Sequence, residues 1–565
     1  MSGLPIIGVQ LNIDPASTSR QIDAYFHTVG QCGLSLCRIN IYEHYCAGGD
    51  FRLYDMAFAS ADRYSTDVIL SLCGEKEFYL AAVRHFHGNE RLYAWEYRDG
   101  DCDYGEIKAI DPDHEIIVTG KGFTDHAKEA EKDALGVSIM PGLDFKYFGR
   151  RRMGKAVSAL CDMAASAAGD KPFWVTELQA GSNIYSGPQC FTPTEMELAQ
   201  WIWTAIGAGA KGVILKSLNS VPDELVAGEM TLLNLQGGMT DRSQAVADIA
   251  RTILEHQDIF AEARPVKAPV TVIYTKESIE VEKRLQRTRD YNPDYEVRYE
   301  GGVVKSFVAA YELLSDRGIM ADIKEISEYA WDKEDTRGDC IVFAGQLAVP
   351  VKYYPKIREF VKRGGRVLIE GLSFCYDENM NSVFSRDFPL ADVFGGYVEE
   401  YQCRPGCFKE RIGRRHIWVQ LFCGLIKNEA SGETLRLLKN KYGRGTVIWA
   451  PSAVAFGAIA TEHRQVITKL IVKALKPIVK ELPLIFRRRR FAVTARQMQT
   501  PAGFMTIVCN NSAHKKRVRF NGAKKVDRLL YTNYVDERPA LARTRRVRVY
   551  KGQTAVALWK DNKKK

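Results

Sequence analysis

Between Ile6 and Lys216 the sequence alternates short apolar runs with helical periods, and this alternation restricts the fold more than any other feature. The runs are Ile6–Leu11, Leu36–Ile41, Asp67–Leu72, Leu92–Tyr97, Glu115–Thr119, Gly136–Met140, Phe173–Glu177 and Gly212–Lys216. Amphipathic stretches such as Arg20–Gly30, Leu53–Tyr64, Glu77–His87, Met153–Ala168 and Pro193–Gly207 separate most of them. Strand–helix alternation eight times over, with short connections, is what a (β/α)8 TIM barrel requires. Residues 1–263 are therefore expected to form a catalytic barrel.

After Arg264-Pro265 the pattern restarts. Strands are expected at Val270–Tyr274, Asp339–Ala344, Arg366–Glu370 and Lys441–Ala450, and helices at Val304–Arg317, Tyr354–Arg363 and Arg464–Leu475. This is a doubly wound, flavodoxin/amidotransferase-like α/β domain over residues 264–480. The turn Arg363-Gly364-Gly365 follows a helix and precedes a strand, the wrong order for a phosphate cradle, so it reads as a helix C-cap. From Pro483 the helical period disappears. Alternating runs at Phe491–Ala495, Phe504–Val508, Arg517–Phe520, Val547–Tyr550 and Thr554–Leu558 predict a small C-terminal β-sandwich over residues 481–565.

Thirteen cysteines, odd in number and scattered, lack the spacing of a zinc site and read as reduced thiols. No metal or cofactor is expected. The start shows no signal peptide and no apolar stretch is long enough to span a membrane, so a soluble cytoplasmic protein is expected. The net charge of +10 is concentrated in Arg487–Arg490, Lys515–Arg519, Arg543–Arg548 and Lys563–Lys565. Such runs grip an anionic polymer or form the solvated face of a β-domain; without a nucleic-acid-binding motif the second reading is preferred.

In a TIM barrel the chemistry gathers at the C-terminal ends of the strands. Strand 7 ends at Glu177, strand 2 runs through Arg38 and Asn40 to Glu43, and strand 1 ends near Asn12. Strand 4 carries Trp95 and Glu96 and is followed by Asp99, Asp101 and Asp103, while strand 8 ends at Lys216. Carboxylates and amides beside aromatic side chains suit sugar recognition and glycosidic cleavage.

The segment Lys171-Pro172-Phe173-Trp174-Val175-Thr176-Glu177-Leu178-Gln179, with Gly181 after it, resembles the nucleophile segment of glycoside hydrolase family 42, the β-galactosidases. The resemblance continues through Trp201-Ile202-Trp203 and Gly207-Ala208-Gly209-Ala210-Lys211-Gly212, and through the order of domains. It implies a retaining exo-β-glycosidase acting on oligosaccharides or glycosides, a homotrimer built through the second domain, Glu177 as nucleophile and Arg38 as a sugar ligand. Asn12, Asn40, Glu43, Trp95 and Lys216 complete the expected substrate site.

Strand 4 departs from the pattern. The family's W-x-x-x-N-E places Asp99 at the Asn and Gly100 at the Glu that serves as acid/base, so that task would fall to Asp99 or Asp101. Lys216 stands where the family usually carries an aromatic residue, and the metal-binding cysteines of some members are missing. Two further readings follow. One is a barrel without catalysis that binds carbohydrate or assembles with partners; the other is a glycosidase for an anionic glycan.

Overall fold

The computed structural model describes the chain except for residues 1–2, 99–102, 122–130, 146–147, 188–189, 223–225, 267–269, 287–301, 384–386, 462–485, 487–489, 491, 521–524, 534–544 and 561–565. It divides into two compact units. One joins Met1–Val266 with the C-terminal segments Ala492–Val518 and Ala523–Lys565, and the other comprises Lys267–Phe491 with Arg519–Gly522.

In the first unit eight parallel strands close into a barrel: β1 (Ile6–Leu11), β2 (Leu36–Tyr42), β3 (Asp67–Cys73), β4 (Leu92–Arg98), β5 (Glu115–Lys121), β6 (Ala134–Ile139), β7 (Phe173–Gln179) and β8 (Gly212–Lys216). Every one falls on an expected run, and the ends differ by a few residues. Two of the helices between them, Ser19–Gln31 and Glu195–Gly207, begin with capping boxes set by Thr18 and Thr194. In each, a hydroxyl and a Gln or Glu side chain satisfy amides that the first helical turn leaves unpaired.

Alternation along the strands grades the barrel interior from apolar to charged. Near the N-terminal ends Leu36, Ile69, Ala94, Ile117, Trp174 and Ile214 form a buried apolar cluster. The Trp174 ring occupies space that only glycine leaves open on the neighbouring strand, since a Cβ on Gly212 would lie 2.0 Å from it. Two residues further along the same faces stand Arg38, Ser71, Glu96, Thr119, Thr176 and Lys216, all buried. The barrel is thus plugged at one end and polar at the other, where TIM barrels carry their sites.

Antiparallel strands from the end of the chain belong to the same unit. Val526–Thr532, Thr554–Trp559, Gly503–Asn510, Val493–Thr500 and Arg264–Pro265 form a five-stranded sheet in that order, and Lys516–Val518 pairs with Val547–Val549. Lys155, on the helix Arg150–Ala168, donates to the Val493 carbonyl at 2.7 Å, and Arg496 donates to Ser158 and pairs with Asp162.

The second unit holds a six-stranded sheet in the order Asp322–Glu325, Val270–Tyr274, Cys340–Ala344, Arg366–Glu370, Gly445–Ala450, Leu438–Tyr442. The first five strands are parallel, as a doubly wound unit demands. The expected single strand Lys441–Ala450 is a hairpin instead. Gly443, at φ +55°, turns the chain between Leu438–Tyr442 and Gly445–Ala450, so the edge strand runs antiparallel. The long hairpin Gly396–Ile412 with Arg415–Asn428 had no counterpart in the sequence reading. The expected helix Arg464–Leu475 lies outside the described residues.

The Arg363-Gly364-Gly365 turn caps the helix Tyr354–Lys362: Gly364 donates to Val361 and Gly365 to Phe360. No helix among the described residues is long and apolar enough to cross a membrane.

Candidate active site

Glu177 is the centre of the polar end of the barrel. Pairing slips between Val137 and Ser138 on one side of β7 and between Val175 and Leu178 on the other, marking a bulge around Thr176 and Glu177. A bulge breaks strict alternation and re-aims side chains. Two consecutive residues therefore meet the interior: Thr176 shares a 2.9 Å hydrogen bond with Thr119 of β5, and Glu177 enters a charged cluster.

Its Oε1 faces three cations. Lys216 Nζ donates at 3.0 Å, Arg38 Nη1 lies at 3.4 Å, and Arg98 Nη2 makes a direct ion pair. Its Oε2 accepts from Ser138 Oγ at 2.9 Å. Burial by itself would raise the Glu177 pKa, but Arg98, Lys216 and Arg38 outweigh it and hold the carboxyl well below the usual carboxylate range. The side chain is therefore ionised at any ordinary pH.

Arg38 is fully buried and is the hub of the cluster. It contacts Glu96 through Nε and Gln10 through Nη1, and donates to Ser71 Oγ at 3.0 Å through Nη2. Glu96 accepts a 2.6 Å hydrogen bond from Thr119 on its other oxygen. Both of its oxygens are thereby committed inside the barrel, and it is a structural partner of Arg38. Among the described residues, three cations (Arg38, Arg98, Lys216) meet two carboxylates (Glu96, Glu177).

The sequence-derived residues divide around this cluster. Glu177, Arg38 and Lys216 are in mutual contact. Asn12 is near by, its Oδ1 accepting from Gln10 at 2.7 Å while its amides bond to Asn219 in the loop after β8. Asn40 is buried with its Nδ2 on the Tyr42 hydroxyl and its Oδ1 without a hydrogen-bond donor among the described residues.

Glu43 lies in the turn after β2, where its carboxylate accepts from the Glu75 amide at 2.9 Å. It ties down the loop after β3. The expectation that Trp95 belongs to the substrate site is corrected: alternation with Glu96 turns it away from the interior, and it is fully buried with Nε1 on Asp111 at 2.7 Å. Asp99 and Asp101, the two acid/base candidates, lie outside the described residues. Asp103 pairs with Lys76 at 2.6 Å.

Arg98 is the residue that sequence reasoning missed. The two-residue period from Glu96 places it on the inward face. Ser138, Ser71 and Thr119 follow from the same period.

The fold is shared with known enzymes. A β-galactosidase from Bacillus circulans sp. alkalophilus superposes with a TM-score of 0.77 at 13% identity, over 98% of this chain and 99% of the other. A GH42 β-galactosidase from G. stearothermophilus gives 0.76 at 12% identity over 99% of each. This chain has the fold of the family 42 β-galactosidases. An exo-β-1,4-mannosidase from Opitutaceae bacterium strain TAV5 is more distant, with a TM-score of 0.58 at 12% identity over 84% of this chain and 96% of its own. No protein-family model and no curated sequence matches the chain.

Proposed function

We propose that the polar end of this family 42-like barrel is a retaining β-glycosidase site, β-galactosidase-like and exo-acting, with Glu177 as nucleophile. The observation that carries the reading is a buried glutamate, ion-paired to Arg38, Arg98 and Lys216 and aimed by a bulge into the polar end of the barrel. Its Oε2, held only by Ser138 among the described contacts, is the oxygen with a lone pair to spare. It attacks the anomeric carbon, the C–O bond to the leaving group breaks, and the acid/base, Asp99 or Asp101, gives its proton to the leaving oxygen. Water, deprotonated by the same aspartate, then releases the sugar from Glu177. Arg38 positions Glu177, and Asn12, Asn40 and Lys216 line the approach. As the resemblance implies, the protein is a homotrimer built through its α/β unit; light scattering on the purified protein checks the mass.

A second reading has its own observation. Glu177 is only 2% exposed and is clamped by three cations, while Gly100 stands where the family carries its acid/base. On that account the barrel binds saccharide without cleaving it.

Nitrophenyl glycosides separate the two, because a good leaving group reacts even with a poor general acid. Hydrolysis of one of them that is abolished by Glu177→Gln supports the enzyme. No turnover of any, with saccharide binding intact, supports the binding barrel. Azide rescue of Asp101→Ala but not Asp99→Ala, or the reverse, identifies the acid/base.

A further inference from the structure

We propose that Arg98 and Lys216 make this a site for acidic sugars, recognising a pyranose that carries a carboxylate. The inference rests on the barrel mouth being the saccharide site.

It is carried by the charge balance of the cluster. Among the described residues, the ion-paired groups around Glu177 comprise three cations, Arg38 and Lys216 buried and Arg98 partly buried, and two buried carboxylates, one positive charge in excess. An unbalanced buried charge is costly unless a partner arrives to neutralise it. The two carboxylates are already shared out, Glu96 to Arg38 and Thr119, and Glu177 to all three cations.

The excess belongs on the mouth side. Arg38 is sealed, with 0% side-chain exposure, whereas Arg98, the last residue of β4, keeps 23% and Lys216, the last of β8, keeps 8%. Arg98 also retains donor capacity: its Nε is buried and has no hydrogen-bond acceptor among the described residues. A planar guanidinium with a spare N–H beside an ammonium is the arrangement that suits a carboxylate, through charge-assisted hydrogen bonds of fixed geometry. With the acid/base aspartate in its protonated form, a uronic acid would bring the charge of the described cluster to zero, and a neutral hexose would leave it unbalanced.

The test compares 4-nitrophenyl β-D-glucuronide and β-D-galacturonide with the matching glucoside and galactoside. It uses the full-length protein, Arg98→Gln and Arg98→Lys. Binding of free glucuronate, galacturonate, glucose and galactose is measured in parallel by titration calorimetry. Wild type is expected to favour a uronide over its neutral counterpart by about tenfold or more in kcat/KM, the effect of one charge-assisted hydrogen bond. Arg98→Gln should erase that preference and Arg98→Lys should keep part of it, which separates charge recognition from a folding defect.

If no glycoside turns over but a uronate binds and Arg98→Gln abolishes the binding, the acidic-sugar site stands and the hydrolytic reading falls. If neutral glycosides are cleaved as well as uronides, or no uronate binds better than its neutral sugar, the acidic-sugar inference is overturned. In the first of those cases hydrolysis still stands.

Discussion

Arg98 and Glu177 form an ion pair across the barrel mouth, joining the end of β4 to the end of β7. Glu177 is also held by Arg38 and Lys216, so the pair is the dispensable contact of the three for charge balance. Arg98→Gln leaves two cations for two carboxylates and is expected to cost less than about 1 kcal/mol of stability, or to stabilise. Arg38→Gln strips Glu96 of its cation in a sealed site and should cost about 3–5 kcal/mol. Urea denaturation of both variants measures the difference, and equal losses would contradict this account of the cluster.

The depressed pKa of Glu177 links stability to acid. An unfolded glutamate titrates near pH 4.3, and the folded one well below it. The stabilisation from its ionised form is therefore complete above about pH 4.3 and is lost as pH falls through the folded value. Glu177→Gln lacks this contribution and leaves the cations poorly balanced. Its melting temperature should lie below that of wild type at pH 7, and the gap should narrow below about pH 4.

Glu370, in the second unit, behaves in the opposite sense. Burial pushes its carboxyl up to about 7, against the lowering by the Ala455 and Val454 amides that bond to it. The unfolded carboxyl ionises first, so stability declines as pH rises from about 4.3 towards 7. Glu370→Gln keeps an acceptor for both amides and no charge to bury. Its stability advantage over wild type should grow between pH 5 and pH 8, up to about 3 kcal/mol by this linkage. Thermal melts across that range check it, and parallel pH curves would refute the assignment.

The plug of the barrel predicts a steric effect remote from the site. Gly212→Ala drives a methyl into the Trp174 ring and should cost about 1–3 kcal/mol, as overpacking does. Replacing Trp174 by Leu in the same chain should recover part of the loss, which chemical denaturation of the single and double variants measures.

Most of the architecture was readable because strand and helix periods are local. The eight barrel strands and the core of the α/β sheet were all visible as apolar runs between turn residues. The edge hairpin Leu438–Tyr442 with Gly445–Ala450 was not, since Gly443 and Gly445 within an apolar–basic run do not by themselves announce a reversal. At the site, Glu177, Arg38 and Lys216 were legible from their places at strand ends.

Trp95 was misread because strand position says where a residue lies along the barrel, and only alternation says which way it faces. Arg98 could have been found by that alternation from Glu96. The bulge that admits both Thr176 and Glu177 to the interior depends on pairing with two neighbouring strands, and no local pattern encodes it.

The central claim, that Glu177 bonds covalently to the sugar, is tested by trapping. A 2-deoxy-2-fluoro glycoside with a dinitrophenyl leaving group slows release of the glycosyl-enzyme more than its formation. After incubation with the galactosyl and glucuronyl forms, peptide mass spectrometry should find one fluorosugar on the peptide containing Glu177, and none on Glu177→Gln. Turnover of ordinary glycosides without that adduct, or an adduct on another carboxylate, would contradict the account.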